Sequence, residues 1–548
     1  SGDTTISNGT IKLTGAVNAA TDLIIASGAT LDLQAMQTFA RLDLDGTISR
    51  SAGTSTLTIT GTSDLGGSIT TSGTQDYEGA VTVTGNSTLT TTSAQITFDT
   101  TVNSETGETN NLTITASEVQ FDGIVGGTRT LGVIDITGSL DLNAAITNAT
   151  SLSVSTTSNL GADVTTSSTQ TYSGAVTLSG ADRTLTGSTV NFGSTVNGGT
   201  NALIITGALD LDGAATNLST LSVSTTSNLG ADVTTSSTQT YSGAVTLSGA
   251  DRTLTGSTVN FGSTVNGGTN ALIITGALDL DGAATNLSTL SVSTTSNLGA
   301  DVTTSSTQTY SGNATISNNI TLTTTNGNIT FGGTVNSHYT SSSPTIKFYN
   351  YSNASGLLYT YTGTLSGAEV GSSCTFCNWG FNDTLTSFTL TAGGYVVLYQ
   401  HGGLSGWSQV FDNRSGSSTA TYNLPYGNAL DNDASSFTIS GGASSSSNYD
   451  LSIITGNNNT VVFQNLVGNS SALGDINITG VLNLDAAITN ASSLSVSSTS
   501  NLGADVTTSS TQTYTGAVTL TADTTLTSTG SAITASTIDG AYDLTIAS

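Results

Sequence analysis

A stretch beginning LSVSTTSNLGADVTTSSTQTYSG starts at Leu152, again at Leu221 and again at Leu290, and the first two copies are identical throughout. Their spacing is 69 residues each time. A fixed period of this size constrains the fold more than any other feature of the 548-residue chain. Each unit is too small to bury an apolar face alone, so neighbours must stack into a solenoid or an array. No apolar stripe of helical period appears. The pattern is Val, Ile and Leu alternating with Thr, Ser, Asn and Gly, which reads as all-β.

A finer period lies inside the unit. An aromatic residue or Leu, two or three small residues and an aliphatic recur from Tyr77, Phe98, Phe121, Leu142, Leu160 and Tyr172, at steps of 21, 23, 21, 18 and 12. Steps near 18 to 23 suit one turn of a parallel β-helix, with these side chains stacked in a core ladder. The step of 12 implies a short turn or a ladder on another face, so each 69-residue unit is expected to hold three or four turns. Separate β-sandwich domains of ~100 residues fit neither the unit length nor its sub-period.

Charge narrows the function classes. Asp and Glu outnumber Lys and Arg by 36 to 8, and all four together are only 8% of the chain. Eight basic residues cannot neutralise a phosphate backbone, so no nucleic-acid partner is expected. No apolar run is long enough for a membrane span, and no basic, apolar leader precedes Ser1, so the chain reads as a soluble, exported form. Two cysteines exclude a disulfide framework and a four-cysteine zinc site.

The TQxY signature locates an insertion. Its tyrosines fall at Tyr77, Tyr172, Tyr241, Tyr310 and Tyr514, at spacings of 95, 69, 69 and 204. The sequence after Tyr310 matches that after Tyr77, so the last interval is a 95-residue module enlarged by about 109 residues. In the first module the equivalent place holds only the polar corner SETGETN after Asn103. Both Pro, both Trp, both Cys and both His fall between 338 and 447. The expected organisation is therefore a β-solenoid over 1–337, an inserted domain over 338–447 and the solenoid resumed over 448–548. Solenoid corners tolerate such guests because a loop with close ends is extended at small entropic cost.

Two half-motifs occur twice within the insertion. An aromatic is followed seven positions later by glycine (Tyr349 to Gly356, Tyr399 to Gly406). An Asx pair is followed by two free positions and then hydroxyl residues (Asn382-Asp383-Thr384-Leu385-Thr386-Ser387, and Asp431-Asn432-Asp433-Ala434-Ser435-Ser436). The paired arrangement resembles the two Greek-key motifs of a microbial βγ-crystallin domain over about residues 344 to 440. That resemblance implies two calcium sites: side-chain oxygens from Asp383 and Asn432, hydroxyls from Thr386 and Ser435, and carbonyls from Thr384, Asp433, Asn350 and Gln400. Ca²⁺ takes six to eight such oxygen donors, and the few formal charges imply modest affinity. The alternative is that these residues close polar turns.

The remaining candidates carry less chemistry. Cys374 and Cys377 form a CxxC without a thioredoxin-like setting, consistent with a local disulfide or two thiols. His338 and His401 read as incidental. Trp379 and Trp407 read as core or rim residues, or as platforms for stacking a sugar. LDLDG places Leu inward and Asp outward more simply than it places a metal. Thr-x-Thr runs follow from strand propensity without an ice-binding role. β-Helix lyases and hydrolases need a cluster that breaks the repeat, and the units are copied whole, so no enzyme is expected.

The repeat wording resembles the β-strand repeats of filamentous-haemagglutinin-like and other giant microbial surface proteins. The resemblance implies an extracellular, cell-surface or secreted filament: a rigid stalk with a calcium-stabilised crystallin-like module at one corner. The expected partners are copies of the chain stacked end to end, or the rest of a longer parent chain. An adhesin whose insertion binds surface glycan is the second reading, and a carbohydrate-active β-helix enzyme the third. About 438 solenoid residues imply roughly 19 to 25 turns and a rod on the order of 90 to 120 Å.

Overall fold

The structure is a computed structural model. It describes residues 2–341, 345–351, 355–362, 387–390, 394–401, 405–412, 420–423, 436–441, 444–446 and 448–547. The chain folds as two compact units, Ser1–Asn336 with Tyr449–Ser548, and Ser337–Asn448.

The first unit is an all-β parallel solenoid of about 23 turns. Most of its strands are three to five residues long with alternating burial, a half-buried residue between two buried ones in Leu57–Ile59, Gln75–Tyr77 and Val81–Val83. Short strands follow from the sequence. Two or three alternating residues place one or two aliphatic side chains inward, and the next Gly, Ser or Asn turns the corner.

Three continuous ladders result. The first starts at Thr4–Ile6, the second at Thr10–Leu13 and the third at Gln37–Phe39, and the chain visits them in that order on every turn. Longer strands such as Leu112–Phe121 and Arg183–Phe192 pass round a corner unbroken and serve two ladders, with a register shift at the bend.

The third ladder sets Phe39, Ile59, Tyr77, Phe98, Phe121, Leu142, Leu160 and Leu178 above one another in register. Tyr172 does not join them. It pairs between Val154 and Phe192 on the second ladder, so the 12-residue step is a change of face. LDLDG has Leu209 and Leu211 buried with Asp210 and Asp212 outward.

Ladder membership also fixes the size of the repeat. From Thr169–Tyr172 to Thr238–Tyr241 the chain makes eleven strand segments, three to a turn, so one 69-residue unit is three and two-thirds turns. The TQxY strand consequently shifts by one ladder with each copy. Tyr172 lies on the second ladder, Tyr241 on the first and Tyr310 on the third.

The core is one apolar column, in which aromatic rings stack face to face from turn to turn. Ring centroids are 5.1 Å apart for Tyr77–Phe98, 5.0 Å for Phe98–Phe121, 5.5 Å for Tyr241–Phe261 and 5.2 Å for Tyr310–Phe331, each within 16° of parallel. The column also contains a recurring polar defect. The Ser158, Ser227, Ser296 and Ser500 hydroxyls point inward with no hydrogen-bond partner.

The solenoid is continuous across the insertion. The chain leaves after Val335–Ser337 on the first ladder and resumes with Leu451–Thr455 on the second, where Leu451 stacks on Ile320, while on the third ladder Phe463 stacks on Phe331. Asn319, Asn328 and Asn336 each accept a backbone N–H from beyond the insertion through Oδ1, from Asp450, Thr460 and Ser470. In the other 95-residue module the same corner is a short polar link, where Ser104 Oγ accepts the N–H of Asn110 at 2.7 Å.

Within the second unit, the described strands form two antiparallel sheets and a two-stranded ribbon. The ribbon pairs Tyr339–Ser341 with Ser444–Ser446 and brings the ends of the insertion together. One sheet has the order Ser355–Thr362, Thr345–Tyr351, Ser387–Leu390, Ala420–Asn423; the other has Ser405–Asp412, Gly394–His401, Ser436–Gly441. Phe388 of the first sheet meets Phe411 of the second edge-on at 4.8 Å.

Candidate functional site

Two sets of residues are candidates: the positions that the crystallin resemblance implies for calcium in the insertion, and polar groups built into the solenoid. In the insertion, Asn350 lies in Thr345–Tyr351 and Gln400 in Gly394–His401, with only their backbone described. Asp383, Thr384, Thr386, Asn432, Asp433 and Ser435 lie outside the described residues, as do Cys374, Cys377 and Trp379. Trp407 and His401 are strand residues of Ser405–Asp412 and Gly394–His401, again with only the backbone described, and His338 is half-buried.

The described backbone repeats one register in both halves. Tyr349 pairs with Ser387, and Tyr399 pairs with Ser436. Ser387 and Ser436 directly follow Thr386 and Ser435 in the chain, while Asn350 and Gln400 directly follow the two tyrosines. Among the described residues no group of three or more His, Cys, Asp or Glu side chains is placed to hold a metal ion.

The polar groups of the solenoid recur with the repeat. Gln75, Gln170, Gln239, Gln308 and Gln512 are fully buried, and each accepts a hydrogen bond through Oε1 from the tyrosine two residues on, at 3.0 to 3.2 Å. The Gln239 Nε2 donates to the carbonyl of Val233 at 3.2 Å and to that of Thr255, one turn further, at 2.8 Å. The amide thereby ties a corner to the turn above it. Sequence reasoning used TQxY only as a ruler. The available signal was a glutamine at an inward position of an alternating strand, five times over.

Arg183 and Arg252 form a second set of buried polar residues that recurs with the repeat. Their guanidinium groups donate to corner carbonyls, Arg183 Nε to Leu160 at 3.0 Å and Arg252 Nε to Leu229 at 3.1 Å.

Burial raises the hydroxyl pKa of Tyr77, Tyr172, Tyr241, Tyr310 and Tyr514 above the ordinary tyrosine range. A group whose folded pKa is raised contributes its full stability below the unfolded pKa of ~10 and loses it as pH climbs beyond that value. The urea midpoint of the chain is therefore expected to hold steady between about pH 8 and 9.5 and then to fall steeply above about pH 10. Replacing these five tyrosines by Phe should flatten the decline. An equal slope in the replaced chain would remove the link to these hydroxyls.

Carboxylates on the walls respond to their own neighbours. The Ser51 hydroxyl, donating to Asp32, holds that carboxyl below its usual range, helped by the Ser51 N–H at 2.8 Å and by Gln34 at 2.7 Å. Burial, then the charges of Asp99 and Glu78, raise Asp76. A cleft of about 380 Å³ is lined in part by Glu118, Ser139, Asp141, Asn159 and Thr177. Its acids are engaged by amides: Gln95 donates to Glu118 at 2.9 Å and Asn159 to Asp141 at 2.7 Å. These contacts zip one turn to the next along the outside of the rod.

Comparison of the chain with protein-family models, with curated proteins and with solved structures finds no match.

Proposed function

We propose that the chain is an extracellular structural protein, a stiff β-solenoid stalk or filament that carries a calcium-stabilised, βγ-crystallin-like domain at one corner. The observation that carries this reading is the unbroken stack of about 23 turns, whose register continues through the insertion point. A rod of that many turns, at ~4.8 Å per turn, is about 110 Å long. Side-chain hydrogen bonds join neighbouring turns along the walls, and inward aromatic rings stack in short runs within the core, as suits a load-bearing element. The acidic surface would keep such rods dispersed.

The crystallin-like assignment is supported by the strand order of the insertion. Each half supplies a hairpin followed by a strand that pairs with the first strand of that hairpin, and Ala420–Asn423, from the second half, completes the sheet of the first. The proposed calcium ligands are the eight residues Asn350, Asp383, Thr384, Thr386, Gln400, Asn432, Asp433 and Ser435. Stacking of copies end to end, or continuation within a longer parent chain, belongs to the same proposal.

Electron microscopy of the purified chain tests the stalk, with rods near the stated length expected and compact particles contradicting it. Calcium is tested by melting the full chain with calcium and with chelator. A ligand bound only to the folded state raises stability by RT ln(1 + [L]/Kd), so calcium at ~100 times Kd should add about 2.7 kcal/mol to the insertion's own transition. Identical melting curves would remove the metal. Glycan capture by the full chain, lost in Trp407→Ala, would shift the reading to an adhesin.

A further inference from the structure

The repeat length and the three-ladder cross-section together give the number of 69-residue units a role of its own. Eleven strand segments are one short of four full turns. Each unit therefore hands the chain on one ladder earlier than it received it. The core accepts this because its packing does not depend on the ladder. Tyr172–Phe192 on the second ladder, Tyr241–Phe261 on the first and Tyr310–Phe331 on the third stack at 5.5, 5.5 and 5.2 Å. In all three the tyrosine hydroxyl reaches its glutamine at 3.0 Å.

We infer that the count of 69-residue units sets the edge of the solenoid from which the inserted domain leaves, as well as its height along the rod. With the present units the insertion departs at the corner between the first and second ladders. Removing one unit moves that corner to the edge between the second and third ladders and lowers it by three and two-thirds turns, about 18 Å at ~4.8 Å per turn. Removing two moves it to the edge between the third and first. A third removal would return it to its original edge. The residues of a solenoid contact only adjacent turns, so everything beyond the deletion rotates as one body and no native contact inside it is lost. The junction is also native, since the sequences beginning at Leu152, Leu221 and Leu290 share their opening strands. A chain built in this way changes both the height and the edge at which its insertion leaves the solenoid by gaining or losing whole units.

Cysteine pairs read the ladder directly. In the intact chain Asn297 pairs with Asp279 on the first ladder, Asn228 with Asp210 on the second, and Asn159 with Asp141 on the third. Register neighbours in a parallel sheet lie ~4.8 Å apart, within the Cα range of a disulfide. In a full chain with Cys374→Ser and Cys377→Ser, lacking residues 221–289, a disulfide should form between Asp210→Cys and Asn297→Cys. In the chain lacking residues 152–289 it should form between Asp141→Cys and Asn297→Cys. Neither pair should close in the undeleted chain.

A second pair, Asn297→Cys with Thr315→Cys, joins register neighbours on the first ladder and should close in all three chains, showing that the downstream turns travel together. Near-complete crosslinking of the stated pairs, with background levels in the undeleted chain, is the expected result. Deleted chains that stay folded by circular dichroism without forming these bonds would overturn the inference. So would deleted chains that aggregate, since the units would then not be removable. The stalk function is not at issue in either case, because microscopy of the undeleted chain tests it whatever the crosslinks report.

Discussion

Gln239→Leu is expected to be among the most damaging single changes in the solenoid, although it preserves size and adds apolar surface. The Gln239 amide is the acceptor for the Tyr241 hydroxyl at 3.0 Å and a donor to the carbonyls of Val233 and Thr255. Leucine withdraws all three hydrogen bonds inside a core that water does not reach. Each buried polar group left unpaired costs about 1–3 kcal/mol, so a loss of roughly 3 kcal/mol or more is expected. Adding Tyr241→Phe should return part of that loss, because the stranded hydroxyl goes with it. Native-state hydrogen exchange over residues 233–261 is the suitable measurement, since a solenoid opens locally rather than all at once. Unchanged protection in Gln239→Leu would show the amide to be incidental.

The second large effect is a matter of clearance. Gly207 has φ +145°, and a β-carbon there would collide with the carbonyl oxygen of Gly187 on the turn below. Backbone cannot yield as a side-chain tip does. Gly207→Ala should therefore spread two turns apart at that corner and cost about 2–3 kcal/mol or more. Gly28 has φ +80° but nothing within 4 Å of the place a methyl group would take, so Gly28→Ala should cost only the left-handed penalty of about 1–2 kcal/mol. Equal losses at the two sites, judged by urea midpoints, would mean that turn spacing is not the constraint at Gly207.

Much of the architecture is legible in the order of residues. Spacing alone places Tyr77, Phe98, Phe121, Leu142 and Leu160 in one column, because a stacked turn must return the same side chain to the same wall after a nearly constant number of residues. What spacing does not reveal is where a column ends. Leu160 to Tyr172 is a short step because Tyr172 lies only two strands on, on a different ladder, and ladder membership depends on how many corners intervene, a quantity that residues of similar size and polarity do not encode. The polar interior is hidden for a different reason. Gln, Arg and Ser score as surface residues, and only the alternation of their strands shows that Gln239, Arg252 and Ser227 face inward. In the insertion, the paired aromatic and Asx motifs carry the reading, and six of its eight ligand positions lie outside the described residues.

The phase mismatch between unit and turn also bears on how such a solenoid would yield under sideways force. Were the units a whole number of turns long, every weak corner would line up on one side, and the shaft would buckle preferentially toward it. Offsetting each copy by a third of a revolution instead puts the bulge after Thr186 and its counterpart after Thr255 on different edges. Resistance to bending is then expected to differ less from one direction to another than in a stack whose copies are in phase, as in a twisted cable.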